Sequence, residues 1–385
     1  AMPAIVDSNL TTALTALFLF QFGTGPVKGF AVTLTVGILA SMVTAVFVSR
    51  TLFQVWLARR DADKPLSVGT VRLFRSARFD YLKHRTLAYV LTAMVLLAGF
   101  GVGAARGVRY GVDFTGGALH QIEANGPIDA GPLRLALQRQ GLGGAEVQRF
   151  GGPNVVVVRT GAAEDLAART AVVSEAAEAS LGAGQFSITR RESVGPKVGA
   201  EVRTRAMLAI GLSFGAVLIY LAARFEWRFG LAAVFATAHD VAATLAFITV
   251  LDLEISLVVV AALLTVVGYS LNDTIVIFDR VRENRRAEPR VPLDQILNRS
   301  VNETLPRTVL TGGTALATLV ALAVFGGEVV KPFALVMFFG IATGTFSSIF
   351  VASPVLRLIH ERWPTPELTQ GTARLDTEST GGIAG

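Results

Sequence analysis

Ionisable residues interrupt three apolar stretches of this 385-residue chain, and chemistry could reside at each of them. The clearest is Gly268-Tyr-Ser-Leu-Asn272-Asp273-Thr274-Ile-Val-Ile-Phe-Asp279-Arg280, with Asp273 well inside an apolar run. Ser270, Asp273, Ile277 and Arg280 recur at three- and four-residue spacing, which puts them on one helix face. Asn272 and Thr274 are expected to hydrogen bond to neighbouring helices. The second stretch, Ser300-Val-Asn302-Glu303-Thr304-Leu-Pro306-Arg307-Thr308, offers Arg307 as a counter-ion for Asp273, with Thr311 one turn further along the same face. The third is His239-Asp240, which suits a packed structural pair as well as it suits a proton relay.

An ionisable side chain in hydrocarbon costs about 2.5–3.5 kcal/mol on insertion scales, so each is a functional candidate by default. A carboxylate opposite an arginine makes a proton switch, because small movements change both its solvation and its distance from the guanidinium. Arginine does not titrate in this range, so its part is electrostatic. One charge crossing the full membrane potential is worth about 2.3 kcal/mol per 100 mV. The bland alternatives are a permanent ion pair at Asp273 and a snorkelling interfacial cation at Arg307.

These residues need a membrane scaffold to hold them. The chain is 52% hydrophobic and 17% charged, with a mean hydropathy of +0.53; soluble domains carry about 25% charged residues. Runs long enough to cross about 30 Å of hydrocarbon fall at 9–22, 30–49, 87–104, 206–223, 230–251, 256–278, 305–325 and 333–356. Eight spans are therefore expected, in an α-helical polytopic bundle. Basic residues concentrate at 50–86 and 279–303, and by the positive-inside rule both segments are cytoplasmic, as are both termini. No basic segment precedes the first run, so a signal peptide is not expected.

Residues 105–204 return to soluble composition and are expected outside the membrane. Their pattern predicts strand 117–124, helix 130–140, strands 145–150 and 154–160, helix 163–181 and strand 185–192, a small α+β ferredoxin-like domain. The remaining expected units are a hairpin at 1–60, a linker at 61–79, a first span at 80–104, a five-span bundle at 205–360 and a disordered tail at 361–385. An offset of 303 residues lays Lys28, Phe30 and Gly37 on Lys331, Phe333 and Gly340, so the first two spans duplicate the last two. Gly340-Ile-Ala-Thr-Gly344 and Gly37-Ile-Leu-Ala-Ser41 are small-xxx-small patterns that let helices approach closely.

Several functions have no basis in the sequence. There is no cysteine, His84, His120 and His360 lack ligand spacing, and Gly23-Thr-Gly25-Pro-Val-Lys-Gly29 fits no nucleotide loop. No cofactor, metal, nucleic acid or covalent catalysis is expected; protons are the coupling ion, and the net charge of +6 is taken up by the basic loops.

Further motifs carry a family resemblance. Tyr110-Gly-Val-Asp113-Phe-Thr-Gly116-Gly117, Ser193-Val-Gly-Pro-Lys197-Val-Gly199, Phe225-Glu-Trp-Arg228, His239-Asp240, Gly268 to Thr274 and Asn302-Glu303-Thr304 resemble SecF in order and spacing over about 78–357. Asp7-Ser8-Asn9-Leu10-Thr11-Thr12 and Phe22 to Phe30 are similar to the last two spans of SecD. The resemblance to the SecD/SecF export proteins implies a resistance-nodulation-division fold in a bacterial inner membrane and partnership with the SecYEG translocon. It also implies contact with membrane lipid and with unfolded secretory polypeptide, and use of the proton gradient for late-stage export. It puts Asp273 and Arg307 at the proton-coupling pair, with Asn272, Thr274, Thr311 and Asp240 in support. Pro306 stands where serine is usual, with the expectation that it resets the helix start. The remaining SecD portion is an expected partner. A small-molecule or lipid exporter of the same fold, or a passive translocon scaffold, are the alternatives.

Overall fold

The computed structural model describes residues 2–22, 25–60, 74, 77–161, 165–224 and 226–363. Most of the expected linker at 61–79 and of the tail at 361–385 therefore lies outside the described residues. Helices α1 (Met2–Phe22) and α2 (Gly25–Val43) form a hairpin, and a π-helical turn at Thr44–Val48 carries α2 into α3 (Ser49–Ala58). A long α4 (Arg85–Arg106) follows, then the short α5 (Val112–Thr115). Next come β1 (Gly117–Ala124), α6 (Ala130–Arg139), β2 (Glu146–Phe150), β3 (Gly152–Thr160), α7 (Leu166–Leu181) and β4 (Phe186–Val194). The chain then folds as α8 (Pro196–Arg224), α9 (Trp227–Val250), α10 (Leu257–Ala287), α11 (Leu293–Phe325) and α12 (Gly327–Ser347). A second π turn at Ser348–Ala352 leads into α13 (Ser353–Arg362).

Among the described residues seven helical segments are long and apolar enough to span a membrane, beginning with Lys28–Ala58 and ending with Val330–Arg362. The protein is a multi-pass membrane protein. The expected run at 9–22 falls in α1, which is helical throughout but is not one of the seven; Asp7, Asn9, Thr11, Thr12 and Thr15 make its first half polar. The expected cytoplasmic loop at 279–303 is instead mostly helix, because α10 continues to Ala287 and α11 begins at Leu293. Pro306 consequently lies inside α11 rather than at its start, where its missing N–H frees the carbonyl one turn back.

Between α5 and α8 the strands form one antiparallel sheet in the order β2-β3-β1-β4. Alternation along β1 and β3 turns Ile122, Val156 and Val158 toward Leu133, Leu137 and Val173 of α6 and α7, while Leu119 and Val157 pack on the opposite face with Val112. Asp129 and Asp165 cap the two helices by accepting from Gly131 N at 3.0 Å and Ala167 N at 2.8 Å, as side-chain oxygens do at N-caps. Gly151 makes the tight β2–β3 turn with φ of 74°, a conformation natural to glycine.

The bundle closes around α10, whose Leu264, Leu271, Ile275 and Phe278 are fully buried. Close approach of α12 depends on glycine. A Cβ at Gly340 would collide with Val266, and one at Gly344 would lie 3.0 Å from Ser270 Cβ. The matching Gly37 has nothing within 4 Å, so among the described residues the small-residue pattern makes a close contact in only one of the two repeats. The duplication is otherwise visible in detail. Both repeats carry a π turn within one residue of the same place, Thr44–Val48 and Ser348–Ala352, and the equivalent Phe30 and Phe333 touch edge to face with centroids 5.2 Å apart.

Candidate functional site

Two carboxylates lie in the core of the bundle: Asp240 is 0% and Asp273 is 4% exposed. Asp240 is held by two further helices directly and by a third through its neighbour His239. Its Oδ2 accepts from Ser270 Oγ of α10 at 2.5 Å and from Ser347 Oγ of α12 at 2.7 Å. Its Oδ1 is 2.9 Å from His239 Nδ1, and His239 Nε2 is 3.2 Å from Thr92 Oγ1 of α4. A continuous polar chain thus runs from α4 to α12 through an apolar interior. Asp273 lies three residues beyond Ser270, a rise of about 4.5 Å along α10, and accepts a long contact of 3.5 Å from Thr345 Oγ1. Serine and threonine of α12 therefore reach both carboxylates, and the glycine contacts of α12 with α10 set the distances.

Arg307 is exposed on α11, and among the described residues no ion pair joins it to Asp273. Among them no hydrogen bond from Arg307 reaches that carboxylate either, which leaves the guanidinium charge as its means of acting there. Sequence spacing had placed it at the start of a span, whereas α11 begins fourteen residues earlier. Thr311 Oγ1 donates to Arg307 O at 2.8 Å, and its carbonyl accepts from Tyr269 Oη at 3.2 Å. The next residue, Gly312, approaches Thr345, with its Cβ position 3.2 Å from Thr345 Oγ1. Thr274 does not bond to a neighbouring helix as expected; its hydroxyl turns back to Ser270 O at 3.3 Å. Asn272 is half-buried and makes no hydrogen bond among the described residues. The shared face of Ser270, Asp273 and Ile277 is buried, and Arg280 at its end pairs with Glu303 and Glu283, each at 2.6 Å.

A third buried carboxylate was not singled out from sequence as a site. Asp7 of α1 accepts from Tyr220 Oη at 2.7 Å and from Arg224 Nε at 3.0 Å, both on α8. An aspartate opening an apolar run is a legible signal, though the sequence places Asp7 just ahead of the run at 9–22 rather than inside it.

The remaining motifs hold the scaffold. Asn302 brackets Phe79, accepting from its N and donating to its O, both at 2.9 Å. Glu303 accepts from Asn284 Nδ2 at 2.8 Å. Asp113 accepts from Leu257 N at 2.9 Å and so caps α10, the helix carrying Asp273. Burial pushes the Asp113 carboxyl up, against the opposing pull of that amide. Gly111 and Ile255 pair through Gly111 N to Ile255 O at 2.9 Å and Ile255 N to Arg109 O at 2.8 Å. Arg109 binds Asp252 at 2.7 Å, and Arg159 of β3 binds Glu254. The sheet domain is thereby fastened to the α9–α10 loop. Its two flanking motifs meet at its base, where a Cβ at Gly199 would lie 2.9 Å from Gly116 N. Among the described residues no cluster of His, Asp and Glu is arranged to hold a metal.

A family model described as protein export membrane protein SecD/SecF, C-terminal, matches residues 173–362. The protein translocase subunit SecF of Gemmatimonas aurantiaca is 46% identical over 303 residues, covering 76% of this chain and 91% of the relative. The chain belongs to the SecD/SecF family. Another SecD/SecF relative, the protein translocase subunit SecDF of Thermus thermophilus, is 37% identical over 359 residues, covering 91% of this chain and 47% of the relative. The chain thus spans nearly the whole of SecF relatives and about half of SecDF relatives. The crystal structure of SecDF from Thermus thermophilus, described as translocon-associated, matches with a TM-score of 0.83 at 35% identity over 93% of this chain and 48% of that one. SecDF in a super-membrane-facing form matches with a TM-score of 0.70 at 34% identity. SecD/SecF proteins are transport components rather than known enzymes.

Proposed function

We propose that the chain serves polypeptide translocation as the SecF-like part of a Sec translocase, coupling proton movement across the membrane to late-stage export. The observation that carries this is the pair of buried carboxylates, Asp240 and Asp273, tied to hydroxyls of the same helix, α12. Protonating either one removes a buried charge and changes what its hydroxyl partners can donate to. Because those partners lie on α10 and α12, the spacing of these helices responds to the charge state. Arg307 tunes Asp273 from a distance, and Asn272, Thr274 and Thr311 shape the surrounding helices. Protons are the coupling ion, and no other cofactor is required.

In this reading α1 crosses the membrane as an eighth span, and both termini are cytoplasmic in a bacterial inner membrane. The sheet domain, of ferredoxin-like type by its strand order, faces outward toward unfolded secretory polypeptide. The SecYEG translocon and the remaining portion of SecD complete the assembly. The test is Asp273→Asn in the complete assembly, comparing export of a reporter polypeptide with and without a proton gradient. The gradient-dependent part is expected to vanish while the protein stays folded and inserted. Unchanged export would leave the scaffold role in its place.

A further inference from the structure

Between α8 and the α9–α10 pair, in the half of the bundle nearer the sheet domain, lies a cavity of about 360 Å3. Its walls are apolar: Ala206 and Ile210 of α8, Val241 and Leu245 of α9, and Leu264 and Val267 of α10. Met207, also in the lining, is 67% exposed, so the slot opens sideways toward the bilayer. At the end nearest the sheet domain the lining changes to Tyr110 and Arg203, both exposed. Among the described residues Arg203 has no ion pair.

The shape and chemistry of the slot select its occupant. A helix, about 10–12 Å across with its side chains, is too wide for this volume. An extended peptide would set its N–H and C=O groups against apolar walls with no partners. An acyl chain carries no polar groups and is already the solvent on that side. A phosphate at its head would arrive at the rim, where a guanidinium donates to phosphate oxygens in a planar fork and a tyrosine suits interfacial depth. We propose that a phospholipid of the leaflet facing the sheet domain lodges one acyl chain in this slot and its phosphate on Arg203, anionic headgroups being preferred because Arg203 brings an uncompensated positive charge. The floor of the slot lies beside the candidate site: Val241 follows Asp240, and Val267 precedes Ser270 by one turn. Bound lipid would brace the turns of α9 and α10 that hold the buried polar chain.

The test is a binding measurement, independent of export and therefore of the proton-coupling reading. The purified chain is exchanged into phosphatidylglycerol or phosphatidylcholine, and retained lipids are counted by native mass spectrometry. One phosphatidylglycerol per chain is expected to resist removal. Arg203→Gln should weaken its retention about fivefold, the effect of one basic residue at a membrane surface, and weaken retention of phosphatidylcholine, whose phosphate is offset by its own choline cation, by less. Ala206→Phe and Ile210→Phe fill the slot at two depths and should each abolish retention of both lipids; circular dichroism identifies which variants are folded, and one folded variant suffices. Equal retention by the wild-type chain and every folded variant overturns the proposal. So does a photo-crosslinker at Met207 that captures translocating polypeptide in place of lipid.

Discussion

Asp240→Asn separates the two roles open to Asp240, structural acceptor and proton carrier. In the asparagine variant the carboxamide oxygen still accepts from Ser270 and Ser347, and the NH2 group faces His239 Nδ1, whose ring then donates from Nε2 to Thr92. Three charge-assisted bonds, about 1.5–3 kcal/mol each, become ordinary ones of about 1 kcal/mol. The loss is offset because a buried charge has been removed. The net change in stability is then within about 2 kcal/mol. Asp240→Leu differs: it strands the Ser270 hydroxyl and a ring nitrogen, each at about 1–3 kcal/mol, while Ser347 Oγ keeps Gly344 O at 3.1 Å. The sum, about 2–6 kcal/mol, is a large share of the stability of an ordinary domain, so that variant should accumulate poorly. The assay measures export of a reporter polypeptide by the complete assembly with and without an uncoupler, together with membrane levels and thermal melting. Asp240→Asn is expected to accumulate, melt close to wild type and lose the uncoupler-sensitive part of export. Full uncoupler-sensitive export in Asp240→Asn would refute the relay and leave Asp240 as a structural acceptor.

Other perturbations reach separate parts of the molecule. Since its charge is the means by which Arg307 acts on Asp273, Arg307→Lys should retain most gradient-dependent export and Arg307→Gln little of it; equal loss in both would show that fork geometry matters. Burial, reinforced by Arg191 and Arg169, holds the His120 imidazole below its usual range, and Nε2 lies 2.9 Å from Thr170 Oγ1. The unfolded chain takes up the proton first, so the sheet domain keeps this stability above about pH 6.5 and loses it as pH falls below that value. Hydrogen exchange of β1 and α7 amides between pH 7.5 and 5.5 should show declining protection, and His120→Gln should flatten the trend. Gly340→Ala drives a methyl group into Val266 and should cost about 1–3 kcal/mol as overpacking, read as a lower melting temperature; an unshifted melt would mean that α12 does not need its glycine. Tyr220→Phe removes a donor to buried Asp7 and should loosen α1 from α8 by about 1.5–3 kcal/mol, visible as faster proteolysis of the hairpin.

The parts legible from sequence were those fixed by local rules. Alternation and glycine turns placed all four strands within two residues of where they lie, because pleat and turn chemistry act over a few neighbours. Asp273 stood out because a lone carboxylate in an apolar run is costly wherever that run folds. The surroundings of Asp240 were not legible: its donors, Ser270 and Ser347, lie 30 and 107 residues away, and serine in a membrane helix is unremarkable until two helices touch. The start of α11 was not legible for a related reason. Hydropathy marks where apolar residues begin, whereas α11 starts earlier, in a polar stretch held by contacts such as Asn298 with Tyr81 and Asn302 with Phe79.

The cap that Asp113 places on α10 makes the sheet domain a load carried on a beam. That helix has 31 residues and is about 46 Å long, with Asp273 near its middle and the domain clamped to its end. From Asp273 to the capped end is about 24 Å, so a tilt of about 5° at the carboxylate would carry the sheet about 2 Å sideways. The β1–β4 sheet would record, magnified and outside the membrane, an adjustment of hydrogen bonds too small to matter where it is made.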